Sequence, residues 1–430
     1  MVEVKKIKLT ALERSWILYD IGNSAFILLV STLIPIYFNA LATTGGLNES
    51  LYLSYWGYAG SVSTLLVAVI GPICGTLADH RGFKKPIFMA CMLLGVLGCA
   101  AMGVTAGWLA FLVVFVLAKV GYSSSLVFYD AMLPEVTTDE RMDTVSSMGY
   151  AYGYIGSVIP FILCLLLVLF GGKIGIGAGT AMVVSFLITA VWWFVCTQPL
   201  LKRYRQTAFV EHGGNPVSST FRRLRDTFRE VRQQKHIFLY LLAFFFFIDG
   251  VYTIIDMATA YGTALGLDTT GLLLALLVTQ IVAFPSALVF GRLSGQYPSG
   301  TLIPVCIAAY AGIALFAFFL KHQWQFWVLA VVVGMFQGGI QALSRSYLGK
   351  IIPPERSGEY FGLMDICGKG AAFLGTTLIA VISQLTAGTT VHIFGQELQN
   401  ESIAVGTLVI LFAIGYVLFC KADKLNKPRG

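Results

Sequence analysis

Twelve long apolar stretches run through this chain, and nearly all of its basic residues fall in alternate gaps between them. Stretches of roughly 20 apolar residues can cross about 30 Å of hydrocarbon as helices. A soluble core would call for shorter, amphipathic segments. In lipid every backbone N–H and C=O must be paired within its own segment, so each stretch reads as a helix. Composition agrees: 57% of residues are hydrophobic and only 12% are charged, with a mean hydropathy of +0.78. The expected spans are 15–40, 51–78, 86–105, 107–133, 145–170, 176–198, 237–265, 270–291, 300–320, 325–349, 357–386 and 402–420. The third and fourth nearly run together, and Gly107 is the expected turn between them.

The basic residues orient these spans. Of 29 Lys and Arg, 24 fall in one set of gaps and the two tails, and two (Lys173, Lys321) in the other set. Three (Lys119, Arg345, Lys369) lie inside spans. The positive-inside rule then places both termini and the long central loop in the cytosol of a multi-pass protein, with a bacterial plasma membrane as the expected home. The net charge of +7 is therefore topology and does not point to nucleic acid. No cleavable signal peptide is expected, because Met1 to Arg14 is polar and the first apolar run is long. Asn48-Glu49-Ser50 and Asn400-Glu401-Ser402 are glycosylation sequons on the expected outer face. The eight cysteines form no CxxC pair and read as small packing residues, with neither a disulfide framework nor a zinc site indicated.

One long polar segment, 199–236, divides the chain into 1–198 and 237–430, six spans each. Within it Phe221, Leu224, Phe228 and Val231 recur every three or four residues among five arginines, the pattern of an amphipathic helix lying on lipid. The halves look related. Tyr19-Asp20-Ile21-Gly22 in span 1 has a counterpart in Ile248-Asp249-Gly250-Val251 of span 7, and an offset of 218 sets Tyr129 on Tyr347 and Lys119 on Gln337. Parallel repeats of six helices are the plan of the major facilitator fold. The expected fold class is an all-α membrane protein of twelve transmembrane helices in two pseudo-symmetric six-helix bundles, working as a monomer.

The gap between spans 2 and 3 reads Gly75-Thr76-Leu77-Ala78-Asp79-His80-Arg81-Gly82-Phe83-Lys84-Lys85. It resembles the major facilitator signature G-x-x-x-D-(R/K)-x-G-(R/K)-(R/K), departing at His80 and Phe83. Gly75, Asp79, Arg81, Gly82 and Lys84 are the candidate gating residues, with Asp79 placed to accept from basic residues or from helix N-terminal amides. The matching loop Gly291-Arg292-Leu293-Ser294-Gly295 lacks the acid. Further segments narrow the resemblance: Tyr19 to Phe26, Phe128 to Glu135, Gly149 to Ser157, Gln337 to Ser346 and Glu359 to Leu363. Together they resemble the "unknown major facilitator" family, kin to the yeast vacuolar amino-acid effluxer of autophagy. The resemblance implies an exporter of a small organic solute, amino acids being the best-known class; a lipid or drug exporter is the alternative.

An ionisable side chain in mid-bilayer costs about 2.5–3.5 kcal/mol and marks a functional position by default. The set is Asp20, Lys119, Asp130, Asp249, Asp256, Arg345, Asp365 and Lys369. Asp130 and Arg345 lie near span ends and are expected to snorkel or to pair with loop charges. Asp365 and Lys369, one turn apart, can neutralise each other. In the major facilitator fold, spans 1, 4, 7 and 10 line the cavity, so Asp20, Asn23, Ser24, Lys119, Tyr122, Ser123, Asp249, Gln337 and Gln341 are the candidate substrate and coupling-ion residues. Asp20 and Asp249 are the candidate proton carriers. Lys119 is expected either to pair permanently with Asp20 or to hold an anionic group of the substrate.

Rival classes find little support. All five histidines fall in loops or at span ends, leaving none in mid-membrane for a metal, haem or Ser–His site. No G-x-x-x-x-G-K-(S/T) loop is present to drive pumping by ATP. Neither cofactor nor enzymatic activity is expected; the expected partners are a small-molecule substrate, protons and membrane lipids.

Overall fold

The computed structural model describes residues 8–47, 49–211, 226–227, 229–264, 266–385, 391–393, 396–398, 403 and 405–426. In the first half, α1 (Ala11–Ser31) and α2 (Leu33–Thr44) are followed by α3 (Glu49–Ala78), α4 (Lys84–Ala101) and α5 (Trp108–Ala131). A single turn, α6 (Leu133–Val136), leads into α7 (Asp139–Phe170) and α8 (Ala178–Arg203). The second half holds α9 (Lys235–Ala264), α10 (Thr269–Leu293), α11 (Ser299–Phe318), α12 (Gln323–Ile351), α13 (Ser357–Leu385) and α14 (Leu408–Asn426).

Most expected spans coincide with one helix, with three departures. The first is broken, α1 and α2 meeting at 41°. Pro35 has no N–H to offer the Ser31 carbonyl four residues back, and the Ser31 and Thr32 hydroxyls bond back to Ile27 and Leu28 at 2.7 and 2.6 Å. Such back-bonding bends helices. The last helix starts at Leu408 and runs on to Asn426, past the expected 402–420. A short antiparallel hairpin, β1 (Val391–Ile393) and β2 (Gln396–Leu398), sits in the gap before it, where only a loop was expected. Nine helices among the described residues are long and apolar enough to cross a membrane, or ten with the bent pair as one. The charged α13 and the short α14 pack lengthwise on α9 and bring the long helical units to twelve. Gly107 turns α4 into α5 at φ +87°, a conformation that favours glycine. The amphipathic helix expected in the linker falls mainly on 212–225 and 228, outside the described residues.

Buried apolar residues form two clusters. One draws on 16–204 and centres on Trp16, Phe26, Phe88, Tyr129, Phe186 and Trp193. The other draws on 231–422 and centres on Tyr240, Phe247, Tyr310, Tyr347 and Phe412, with Ala131 reaching it from the first half. Outward-facing Leu65, Leu97, Leu169 and Ile410 are 60–68% exposed. An apolar surface of that kind needs lipid to cover it. The halves meet where α3 packs on α13 and α7 packs on α10 and α12. We call the end carrying Ala11, Asp79, Arg203, Lys235 and Asn426 the basic end.

Candidate functional site

The signature loop joins the two halves at the basic end. A Cβ on Gly75 would lie 2.3 Å from the Gly358 carbonyl oxygen, and one on Gly358 would lie 2.4 Å from that of Gly75. Only glycine at both positions lets α3 and α13 touch backbone to backbone. Four residues on, the Asp79 carboxylate accepts the Gly358 and Glu359 N–H groups at 2.8 and 2.9 Å. It thereby satisfies free donors at the start of α13, where the helix dipole also favours an anion. Lys84 is fully buried. Its Nζ donates to Glu135 Oε1 at 2.7 Å and to Ser357 Oγ at 2.8 Å, and lies 3.8 Å from Asp79. Burial pushes the Asp79 carboxyl up to about 7, against the pull of Lys84. Gly82 takes φ +80° in the turn. Arg81 is exposed and rests over the Phe209 ring at 5.2 Å.

The linker is fastened to this lock at both ends. Glu135 Oε2 accepts the Thr207 and Ala208 N–H groups at 2.6 and 3.1 Å, while Tyr204 donates to its Oε1 at 2.9 Å. Gln206 takes the Gly82 N–H and gives its amide to the Ala78 carbonyl, and the Val210 N–H bonds Asp79 O. At the far end Thr227 donates to Glu359, and Glu230 pairs with Arg356 at 2.5 Å. Although burial disfavours its charge, Glu230 and Glu359 push the Arg356 guanidinium above its usual range.

A second set of ties lies deeper. Arg345 on α12 is 4% exposed, with Nη1 at 3.0 Å from Asp130 and 3.7 Å from Asp20, both on the opposite half. Its Nε and Nη2 donate to Ser146 Oγ and O at 2.9 Å. The rings of Tyr150, Trp16 and Tyr129 surround it at 4.4, 4.6 and 5.4 Å. The expectation that Arg345 and Asp130 snorkel or pair with loop charges is therefore corrected: they pair with each other inside the bundle. Three cation–π faces and the Ser146 bonds replace the water that snorkelling would have kept. Nearer the basic end, Asp143 takes Ser346 Oγ and Lys350 Nζ, each at 2.5 Å. The Thr144 hydroxyl reaches the Gly291 carbonyl at 2.9 Å.

Other expected site residues scatter. Asp20 faces Arg345, and Asn23 donates to the Tyr19 carbonyl at 3.0 Å. Ser24 is turned to Gly153 of α7. Lys119 is not paired with Asp20. Its Nζ lies 5.9 Å from the Phe115 ring, within electrostatic reach of Asp256 and Lys369, and forms no ion pair or hydrogen bond among the described residues. Asp365 and Lys369 pair with each other. Asp249 is fully buried inside the second half, accepting the Gly375 N–H at 2.8 Å. Tyr122 is buried against Phe26 and Trp193 within the first half, while Ser123 is half-buried. Gln337 is buried and Gln341 half-buried, both on α12. Glu135, Ser357, Gln206 and Asp143 were not singled out. Glu135 stood in the quoted Pro134-Glu135 segment, but nothing in sequence pairs it with Lys84. Among the described residues no group of three His, Cys, Asp or Glu could hold a metal ion.

Two helical units, a backbone-tight signature loop and buried charges bridging the units define a major facilitator transporter. The fold is shared across most of the chain with solved transporters. The crystal structure of FucP in the outward conformation matches at a TM-score of 0.70 and 14% identity, covering 98% of this chain and 99% of that one. A bacterial homologue of the iron transporter ferroportin, in an outward-facing state, matches at 0.68 and 15%, covering 96% and 98%. Residues 11–424 match the family described as "Vacuole effluxer Atg22 like", and the chain belongs to that family. It is 39% identical over 416 residues to an uncharacterized MFS-type transporter, YxiO, of Bacillus subtilis (96% of this chain, 94% of that protein). It is 26% identical over 267 residues to Autophagy-related protein 22-1 of Aspergillus fumigatus (56% of this chain, 43% of that protein).

Proposed function

We propose that the protein is a secondary active exporter of a small zwitterionic solute such as an amino acid. It alternates access between units 1–198 and 237–430, with 199–236 and the basic end in the cytosol. The observation that carries this reading is a one-ended seal. The hydrogen bonds and ion pairs described between the halves lie in the basic half of the bundle, from Asp79–Gly358 up to Arg345–Asp20. A bundle tied at one end only is poised to be tied at the other, as alternating access requires. Above the seal stand charges of both signs, Lys119, Asp256, Asp365 and Lys369, which suit a ligand carrying both. The vacuole-effluxer family description supports export. Tyr152 against Phe284 across the seam, at 6.2 Å, offers aromatic surface for the second reading, a lipid or drug exporter.

Counterflow tests it. Proteoliposomes loaded with one unlabelled amino acid should transiently concentrate its labelled form from outside. No overshoot with any amino acid would remove the substrate class, and overshoot with a lipid or drug would establish the second reading. Labelling of cysteines introduced into 199–236 from outside intact cells would reverse the orientation.

A further inference from the structure

Two carboxylates face one guanidinium inside the bundle, and the charges do not balance. Arg345 is bonded to Asp130 and lies near Asp20, and its other nitrogens are spent on Ser146. Among the described residues no second cation lies within ion-pair distance of either acid. Asp20 is 7% exposed, and its Oδ2 has no hydrogen-bond partner among the described groups. The other groups facing it are neutral in the ordinary pH range: Tyr19 and Asn23 on its own helix, Tyr122 and Tyr129 on α5, and Tyr150 and Tyr154 on α7. From α8, Trp193 and Cys196 pack two residues on, at Gly22. The next acid, Asp365 of α13, acts on Asp130 and is already tied to Lys369. A buried, uncompensated negative charge is expensive, and one proton removes it. Asp249, the other acid expected to carry protons, gives Oδ1 to Gly375 and Thr253 and also leaves Oδ2 unpartnered, but it is buried within the second half and takes no part in a tie between the halves.

We propose that Asp20 is the proton-carrying group of this transporter, and that its proton sets the strength of the Asp20–Arg345–Asp130 tie between the halves. The proposal rests on the secondary-transport reading and gives its coupling ion a site. Ionised, Asp20 adds a second attraction to Arg345 and holds the basic end shut. With that end shut, the cluster meets water at Asp130, which is 28% exposed. A proton leaves water there, forms an O–H bond on Asp20 and cancels the second attraction. The halves then part at the basic end, and the same proton returns to water on that side. An incoming proton is thus needed to leave the sealed state, the order required for exchange against an outgoing solute.

The test needs no substrate. The full chain is reconstituted in nanodiscs, its native cysteines are replaced, and spin labels are placed at the exposed positions 139 and 355. At about pH 8 the wild-type background should be sealed, and Asp20→Asn, a neutral stand-in for the protonated acid, should shift the sealed-to-open ratio by about tenfold toward open. In parallel, infrared difference spectra between about pH 5 and about pH 9 should show a protonated-carboxyl band that is lost in Asp20→Asn and moved in Asp20→Glu. A band unaffected by both substitutions overturns the proposal, as does an Asp20→Asn protein sealed like the background. Should Asp20→Asn fail to fold, the Asp20→Glu spectrum alone decides. Failure of both readouts beside successful counterflow would leave a transporter whose coupling site lies elsewhere.

Discussion

Adding one methyl group at Gly75 should pry the basic end open. The Cβ of Gly75→Ala would lie 2.3 Å from the Gly358 carbonyl oxygen, whereas ordinary contact begins near 3.4 Å. The helices must separate by about 1 Å, since close-packed atoms cannot overlap. That movement stretches the Asp79 bonds to Gly358 and Glu359 from 2.8 and 2.9 Å beyond useful length. Hydrogen bonds to a charged group contribute about 1.5–3 kcal/mol each. Losing both, with partial rehydration of Asp79 in return, should disfavour the sealed form by about 2–3 kcal/mol, or roughly a hundredfold. The clash lies between halves, so they can swing apart without unfolding, and thermal stability should change little. Labels at positions 139 and 355 would read the shift as a longer distance. Gly358→Ala should act alike, and the double variant should do no more than either, because the first methyl already forces the separation. A Gly75→Ala protein with wild-type distances would refute the backbone-contact argument.

Lys84→Gln should be costlier to the fold. It leaves Asp79 and Glu135 buried without their cation, a loss of about 3–5 kcal/mol that a lowered melting temperature would register; an unchanged melting temperature would show that linker amides suffice. The raised Asp79 value makes a signed prediction. The proton-linked part of its contribution to folding stability is fully present below about 4, the ordinary carboxylate range, and is lost as pH rises through about 7. The difference between wild-type and Asp79→Asn melting curves should therefore shrink across that window, and a flat difference would contradict it. Lys119→Gln should abolish binding of any amino acid that gives counterflow, measured by calorimetry. Adding Asp20→Asn should not restore it, since Lys119 and Asp20 are not partnered in this fold; rescue would revive the permanent pair.

Much of the fold was readable because lipid makes each span a nearly independent decision: length and apolarity settle it before any neighbour is considered. The bend at Thr32 escaped because 15–40 is apolar enough over its length to read as one span, and Pro35 alone does not say how far a helix will kink. The signature loop was legible since its spacing fixes one turn and its charges are local. Its partners were not, because Ser357, Gly358 and Glu359 lie about 280 residues downstream of Asp79 and meet it only when two bundles dock. Arg345 was misjudged for the same reason. Distance from a span end suggested water as its partner, while the rings and carboxylates that surround it come from three other helices. The resemblance of Asp20 to Asp249 set both acids on corresponding spans but could not give their partners: Gly375, with no side chain, lets α13 approach and bond the Asp249 carboxylate, while Asp20 faces Arg345.

Glu135 carries one further implication. One of its oxygens serves the buried lysine and Tyr204, and the other serves the linker amides at Thr207 and Ala208. Peeling the linker away would leave this carboxylate with Lys84 as its one remaining donor among the described residues, and the charge would draw harder on Lys84, away from Ser357 and Asp79. The polypeptide joining the halves is thus a handle as well as a tether. A pull applied outside the membrane, on a segment that crosses none of it, would reach the seal through Glu135 as well as through Gln206, Val210 and Thr227.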